Sequence, residues 1–124
     1  MSREILLRYA SFTEGDPAPL SALIWKVFLE FEAPEYSEEG IQTFKDFIEP
    51  ERLAKQIREK QMRFYCCYEN DSLVGVLAYR DASHISLLFV EKAFHGQGIA
   101  RELLTVSLKD ILEKEQSVTE ITVH

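Results

Sequence analysis

The sequence predicts an α/β fold, an α+β sandwich in which helices flank a mixed, mostly antiparallel sheet. Three observations carry this expectation. Strand-like runs separated by short polar turns fill residues 63–90 and read as an antiparallel meander. Apolar stripes at helical spacing lie before and after it, at 20–31 and 99–112. A final alternating run at 119–124 follows the second stripe, and a strand, a crossover helix and another strand make a βαβ unit whose strands run parallel.

Taken in order, Glu4-Ile5-Leu6-Leu7-Arg8-Tyr9 reads as a first strand. Asp16-Pro17-Ala18-Pro19 forms a turn and opens a helix, with proline where a missing N–H costs little. Leu20, Leu23, Ile24, Val27, Phe28 and Phe31 then mark one buried stripe, and Pro34 ends it. Ser37 suits the N-cap of a second helix bearing Ile41, Phe44 and Ile48. After Pro50 comes a short, charged helical turn with Leu53 and Ile57 four residues apart. Residues 63–69, 73–80 and 84–90 supply the meander, and a helix runs from about Gly98 to Lys114. Its apolar positions are Ile99, Leu103, Leu104, Leu108, Ile111 and Leu112. No repeat, low-complexity tract or linker interrupts the chain, so residues 1–124 form a single domain.

Composition narrows the function classes. With 124 residues, 46% hydrophobic and 28% charged, the chain can build a core without disulfides or a structural metal. No apolar run approaches the ~20 residues needed to span a bilayer, and the N-terminus lacks a signal-peptide pattern. A cytoplasmic protein with no membrane partner is expected. The formal charge of -7 argues against nucleic acid, because binding phosphates requires clustered Lys and Arg. It leaves room for a small phosphate-bearing ligand held by backbone amides. Cys66 and Cys67 are adjacent on a strand and point to opposite faces, so they form neither a staple nor a metal pair. No metal site is expected.

Chemistry concentrates in Phe94-His95-Gly96-Gln97-Gly98-Ile99-Ala100-Arg101, between a predicted strand and a predicted helix. Glycines there let the backbone approach a ligand, successive N–H groups can face one anion, and the helix dipole adds to the attraction. A Rossmann fingerprint is excluded because Arg101 stands where a third glycine belongs. A P-loop is excluded because Gly98-Ile99-Ala100 replaces Gly-Lys-Ser/Thr. Two readings of the bare turn stay open: an anion site, or a tight connection with no ligand.

Leu88-Phe89-Val90, a four-residue connection, then His95-Gly96-Gln97-Gly98-Ile99-Ala100 resembles motif A of the GNAT superfamily of acyl-CoA-dependent N-acyltransferases. That motif reads Gln/Arg-x-x-Gly-x-Gly/Ala after a strand ending in an apolar-Val pair. Gly98 and Ala100 match its small positions, and His95 departs from Gln/Arg. The element order before the motif is also similar to the family's.

The resemblance implies a GNAT-like fold and N-acetyl transfer from acetyl-CoA, as co-substrate, to a primary amine of a small molecule or peptide. It implies that the backbone of Leu88, Phe89 and Val90 pairs with the pantetheine arm. The N–H groups of Gly96, Gln97, Gly98, Ile99, Ala100 and Arg101, after His95, would wrap the pyrophosphate. Arg101 and Lys92 either supplement charge or stay solvated. The implied reaction needs a group to take the amine's proton, a backbone N–H for the oxyanion and a proton for the thiolate.

His84, six residues before Val90 and so expected on the same face, is one candidate base; the other reading is an edge histidine leaving a turn. Glu30, Glu32, Glu35, Glu38 and Glu39 are either a solvated helix end or the mouth of a site that selects cationic amines. Tyr65, Tyr68 and Tyr79 lie on the meander and do not match the family's acid.

The family continues past the strand ending near His124 with a helix and two strands, which bring a Tyr that protonates the thiolate. On this resemblance the chain is C-terminally truncated. Residues 121–123 then form an edge that pairs with a second copy, making a homodimer. Three readings follow: an enzyme completed by a partner, a CoA-binding or regulatory module without catalysis, or a piece of a longer enzyme.

Overall fold

The computed structural model describes residues 6–80, 84–114 and 122–123. Its elements are β1 (Leu7–Phe12), α1 (Ala18–Phe31), α2 (Glu38–Phe47), α3 (Pro50–Arg58), β2 (Met62–Glu69), β3 (Ser72–Arg80), β4 (His84–Val90), α4 (Ile99–Lys114) and β5 (Thr122–Val123). The sheet order is β1-β2-β3-β4-β5, antiparallel from β1 to β4 and parallel between β4 and β5. The mixed, mostly antiparallel sheet and the parallel crossover are those expected. No helix is long and apolar enough to cross a membrane among the described residues.

Several elements differ from expectation in extent. β1 runs from Leu7 to Phe12 rather than ending at Tyr9, because Ala10, Ser11 and Phe12 pair with Cys66, Tyr65 and Phe64. Cross-strand pairing, not local apolar content, decides this strand's end. Glu4 and Ile5 lie outside the described residues, as do 119–121 and His124 of the last strand. α1 ends at Phe31, ahead of Pro34, which falls inside a 3-10 turn at Ala33–Glu35. The expected charged turn after Pro50 is a nine-residue helix, with Pro50 in its first turn. Ser37 caps α2 as expected, its Oγ accepting the Gly40 N–H at 3.0 Å.

Two apolar clusters sandwich the sheet. Helices α1 and α3, with the inner side of α2, cover the face carrying Phe64, Cys66, Val76, Ala78, Leu87 and Phe89. Helix α4 covers the face carrying Tyr65, Cys67, Leu77, Tyr79, Ile85 and Val90. Cys66 and Cys67 thus sit in different clusters, both fully buried, and burial pushes the Cys66 thiol up to about 12. They pack as neutral thiols.

Helix α4 carries the glycine turn, so its placement matters most. Its buried stripe is Ile99, Leu103, Ser107 and Ile111, a strict spacing of four. Leu108 and Leu112 are 37% and 43% exposed, contrary to the apolar stripe read from the sequence. Ser107 takes the central place because its hydroxyl meets the buried Tyr79 hydroxyl at 3.1 Å. Gly75 sits under the helix start: a Cβ there would lie 3.0 Å from Ile99 Cγ2 and 3.3 Å from Leu103 Cδ1. The missing side chain lets the first turn of α4 rest on the sheet.

Near its other end, Asp110 accepts the Tyr65 hydroxyl at 2.7 Å and the Lys114 ammonium at 3.2 Å. Partial burial disfavours its charge, but those two donors outweigh it and hold the carboxyl below its ordinary value. A depressed folded-state value means the stabilisation is complete above the ordinary 3.8 and is lost as pH falls through the folded value. Asp110→Asn keeps an acceptor for Tyr65 and removes the charge. It is expected to cost about 1 kcal/mol at neutral pH. Thermal melts should show the gap to wild type closing as the pH is lowered from about 5 to about 2.

Candidate functional site

Strand β4 departs from regular alternation. Ala78 pairs with Leu87 and Tyr79 with Ile85, so Ser86 is an extra residue without a partner in the ladder, a β-bulge. The bulge turns the strand's parity. Ile85 packs beneath α4 with Val90, so His84 lies on the opposite face, that of Leu87 and Phe89. The expectation that His84 shares a face with Val90 is therefore corrected; counting by twos fails across an inserted residue.

At the other end of β4, the backbone directions follow from the ladder. The Glu91 N–H donates to the Val74 carbonyl at 2.9 Å, which makes 91 and 74 a hydrogen-bonded pair. By antiparallel alternation, Phe89 also bonds inward to β3, while Leu88 and Val90 direct their N–H and C=O groups outward. β5 pairs with β4 at His84 and Ile85, so among the described residues nothing pairs with that outer edge beyond the bulge.

A 3-10 turn at Lys92–Phe94 leads from β4 into the glycines. Gly96 and Gly98 have φ of +81° and +79°, a conformation other residues adopt at a cost, and a Cβ on either would meet open space. These glycines are required by backbone direction rather than by crowding. The first helical bond of α4 runs from the Glu102 N–H to the Gly98 carbonyl at 3.0 Å. The amides of Ile99, Ala100 and Arg101 consequently have no acceptor within the helix. His95 braces the turn: its Nε2–H donates to the Val90 carbonyl at 2.7 Å, and its ring lies 5.2 Å from that of Phe31. Phe31, expected in the α1 core stripe, is instead 46% exposed.

Together these groups border a cleft of about 300 Å³ lined by Leu88, Val90, Phe94, His95, Gly96, Gly98, Ile99, Ala100 and Arg101. Of the residues singled out in the sequence, Phe89 turns its ring into the opposite core, 6.2 Å from that of Phe44. Gln97 and Lys92 do not line the cleft.

A second cleft, about 600 Å³, opens on the other face of β4. Its walls are Tyr36, Ser37, Glu39, Gly40, Thr43, Phe44 and Phe47 from α2 and the turn before it, with Arg80, Ser86 and Leu87 from the sheet. Consecutive strand residues normally face opposite ways; Ser86 and Leu87 both line this cleft because of the bulge. The two clefts thus flank the same stretch of β4 on opposite faces, one at Ser86 and Leu87, the other at Leu88 and Val90. Of the five acidic residues near α2, Glu39 lines the cleft and the other four do not. His84 shares the face but does not line it. Sequence reasoning misses Arg80 and Ser86, and no sequence signal marks either.

The strand order, the parallel crossover and the glycine turn are those of an acyltransferase-type α/β domain. The chain belongs to the acetyltransferase (GNAT) domain family, whose profile matches residues 32–124. No curated protein matches the sequence. Among solved structures, the fold is similar to PaiA N-acetyltransferase from Thermoplasma acidophilum in complex with coenzyme A. There the TM-score is 0.72 and identity 18%, over 86% of this chain and 74% of that one. A predicted acetyltransferase with acetyl-CoA from Clostridium acetobutylicum gives a TM-score of 0.68 at 16% identity, covering 96% and 80% of the two chains. An aminoglycoside acetyltransferase from an uncultured soil metagenomic sample, in complex with sisomicin, gives 0.69 at 21% identity, covering 95% and 76%. At these identities the likeness is one of fold.

Proposed function

We propose that the protein is an acetyl-CoA-dependent N-acetyltransferase. The observation that carries the reading is the meeting of the outer edge of β4 with the positive-φ glycine turn in one cleft. Acetyl-CoA bound there supplies an acetyl group activated as a thioester. The outward backbone groups of Leu88 and Val90 hold the pantetheine arm as a strand would be held. The amides from Gly96 to Arg101 take the pyrophosphate, with Arg101 adding charge at the rim. His95 serves this site by fixing the turn against Val90 rather than by offering its Nε2 to the ligand. The Leu88 N–H, facing the edge between the clefts, is placed to donate to an oxyanion.

The acceptor amine enters from the α2 side, because that cleft reaches the same stretch of β4. His84 stands on the acceptor face once the bulge is counted but outside the cleft walls, so we assign it to receive the amine's proton through a bridging water. Incubation with acetyl-CoA and a panel of primary amines, followed by thiol detection, tests the proposal. Release of CoA that depends on both the amine and the protein is expected. Binding of acetyl-CoA without amine-dependent release from any acceptor would leave a CoA-binding module instead.

A further inference from the structure

Among the described residues, the α2-side cleft carries one positive side chain, Arg80, and one negative, Glu39, with aromatic walls. Arg80 closes β3 opposite Met62, which places it on the face of Phe64 and Ala78, turned toward α2. Its guanidinium is exposed and makes no ion pair or hydrogen bond among the described residues. Glu39 stands in the first turn of α2, and the two opposite charges border one cavity without pairing. The rings of Phe44, Phe47 and Tyr36 line the same cleft and supply its apolar surface.

A guanidinium presents a planar fork that fits a carboxylate with two parallel hydrogen bonds. A polyamine or lysine-like acceptor would bring a second cation against Arg80, and a phosphorylated acceptor would bring a dianion against Glu39. One carboxylate and one amine on the same apolar molecule match the charges present. We propose that the acceptor is a free amino acid with an aromatic or large apolar side chain. In this arrangement Arg80 pairs with its carboxylate, Glu39 draws its ammonium, and Phe44, Phe47 and Tyr36 contact its side chain. This inference rests on the acetyltransferase reading.

The ammonium loses one proton to the base and solvent, the nitrogen forms a bond to the acetyl carbon as the C–S bond breaks, and the nitrogen's second proton ends on the departing thiolate. The products are an N-acetyl amino acid, free CoA thiol and one proton. Such a product keeps its carboxylate, so it leaves the cleft from the same Arg80 contact that admitted the substrate.

The test is a rate comparison at fixed acetyl-CoA among phenylalanine, its methyl ester, 2-phenylethylamine, serine, aspartate, lysine and spermidine. Phenylalanine is expected to exceed its ester and 2-phenylethylamine by about 10- to 100-fold in kcat/KM, the size of a hydrogen bond to a charged group. It should also exceed serine and aspartate. Arg80→Gln should lose that advantage mainly through KM, and Arg80→Lys should restore part of it, since a point charge attracts without the fork. Both variants should keep the rise in melting temperature with acetyl-CoA, which shows an intact fold and cofactor site. Rates for the ester and 2-phenylethylamine equal to that for phenylalanine, or a lead for spermidine or lysine, would overturn the inference. So would no turnover of any acceptor by a protein that acetyl-CoA still stabilises, an outcome that leaves the cofactor site standing. No turnover together with no stabilisation would bring down the acetyltransferase reading itself.

Discussion

Replacing Gly98 with valine is expected to weaken acetyl-CoA binding by at least about 100-fold, roughly the loss of one or two hydrogen bonds to a charged group. Gly98 has φ +79°, and a β-branched residue held there is strained by about 1–3 kcal/mol. The added side chain meets no neighbour within 4 Å, so nothing in the packing prevents the backbone from relaxing to a negative φ. That relaxation rotates the peptide planes on either side and turns the amide of Ile99 away from the cleft. Binding suffers more than folding, because the turn is exposed and the first bond of α4, from Glu102 to the Gly98 carbonyl, is one among many. Calorimetric titration should therefore record a large loss of affinity beside a fall of only a few degrees in melting temperature. Alanine at the same place should show a smaller effect in the same direction. Unchanged affinity in the valine variant would mean that the amides after Gly98 do not hold the cofactor.

Phe28→Ala carries the largest expected loss of stability. The ring is 0% exposed and lies 4.1 Å from Phe44, 5.1 Å from Tyr36 and 5.8 Å from Trp25, measured between centroids. Removing a buried phenylalanine costs about 3–5 kcal/mol. Domains of ordinary stability have about 5–15 kcal/mol in total. Urea unfolding should show the midpoint falling steeply with little change in slope. The effect also reaches the proposed acceptor cleft, since Phe28 supports two of its walls, Phe44 and Tyr36. In the fraction that stays folded, the KM for the amine should rise while acetyl-CoA affinity, which depends on the other end of β4, changes little. Phe28→Leu keeps most of the volume and should recover most of the stability, but less of the amine KM, because the ring contacts are gone.

Much of the glycine turn to which we assign the cofactor was legible in the sequence because its determinants are local. Gly96 and Gly98 between an apolar strand and a helical stripe announce a turn with positive φ, and the helix start follows from the next residues. Ser37 as a cap and Pro50 as a helix opener are similarly short-range signals. The α2-side cleft was not legible, because its determinants are set by pairing. Ser86 becomes a bulge through the register of β3 against β4, and that one residue moves His84 to the other face and brings Ser86 and Leu87 into one cleft. Arg80 looks like the end of a strand until α2 folds over the same face. The exposed Leu108 and Leu112 and the buried Ser107 show the same limit: an apolar stripe read by period alone is wider than the one the sheet accepts, and a hydroxyl partner such as Tyr79 decides which position goes inside. Phe31 also lies outside the stripe read for it, 46% exposed beside the His95 ring.

The most direct test of the acetyl-CoA site is an amide chemical-shift titration of the isotope-labelled protein with acetyl-CoA. The account predicts that the largest shifts fall on Leu88, Val90 and the amides from Gly96 to Arg101, saturating together. Saturable shifts that spare those amides and gather elsewhere, for example on the cationic cleft of Arg58, Lys60 and Arg63 at the other end of the sheet, would contradict it.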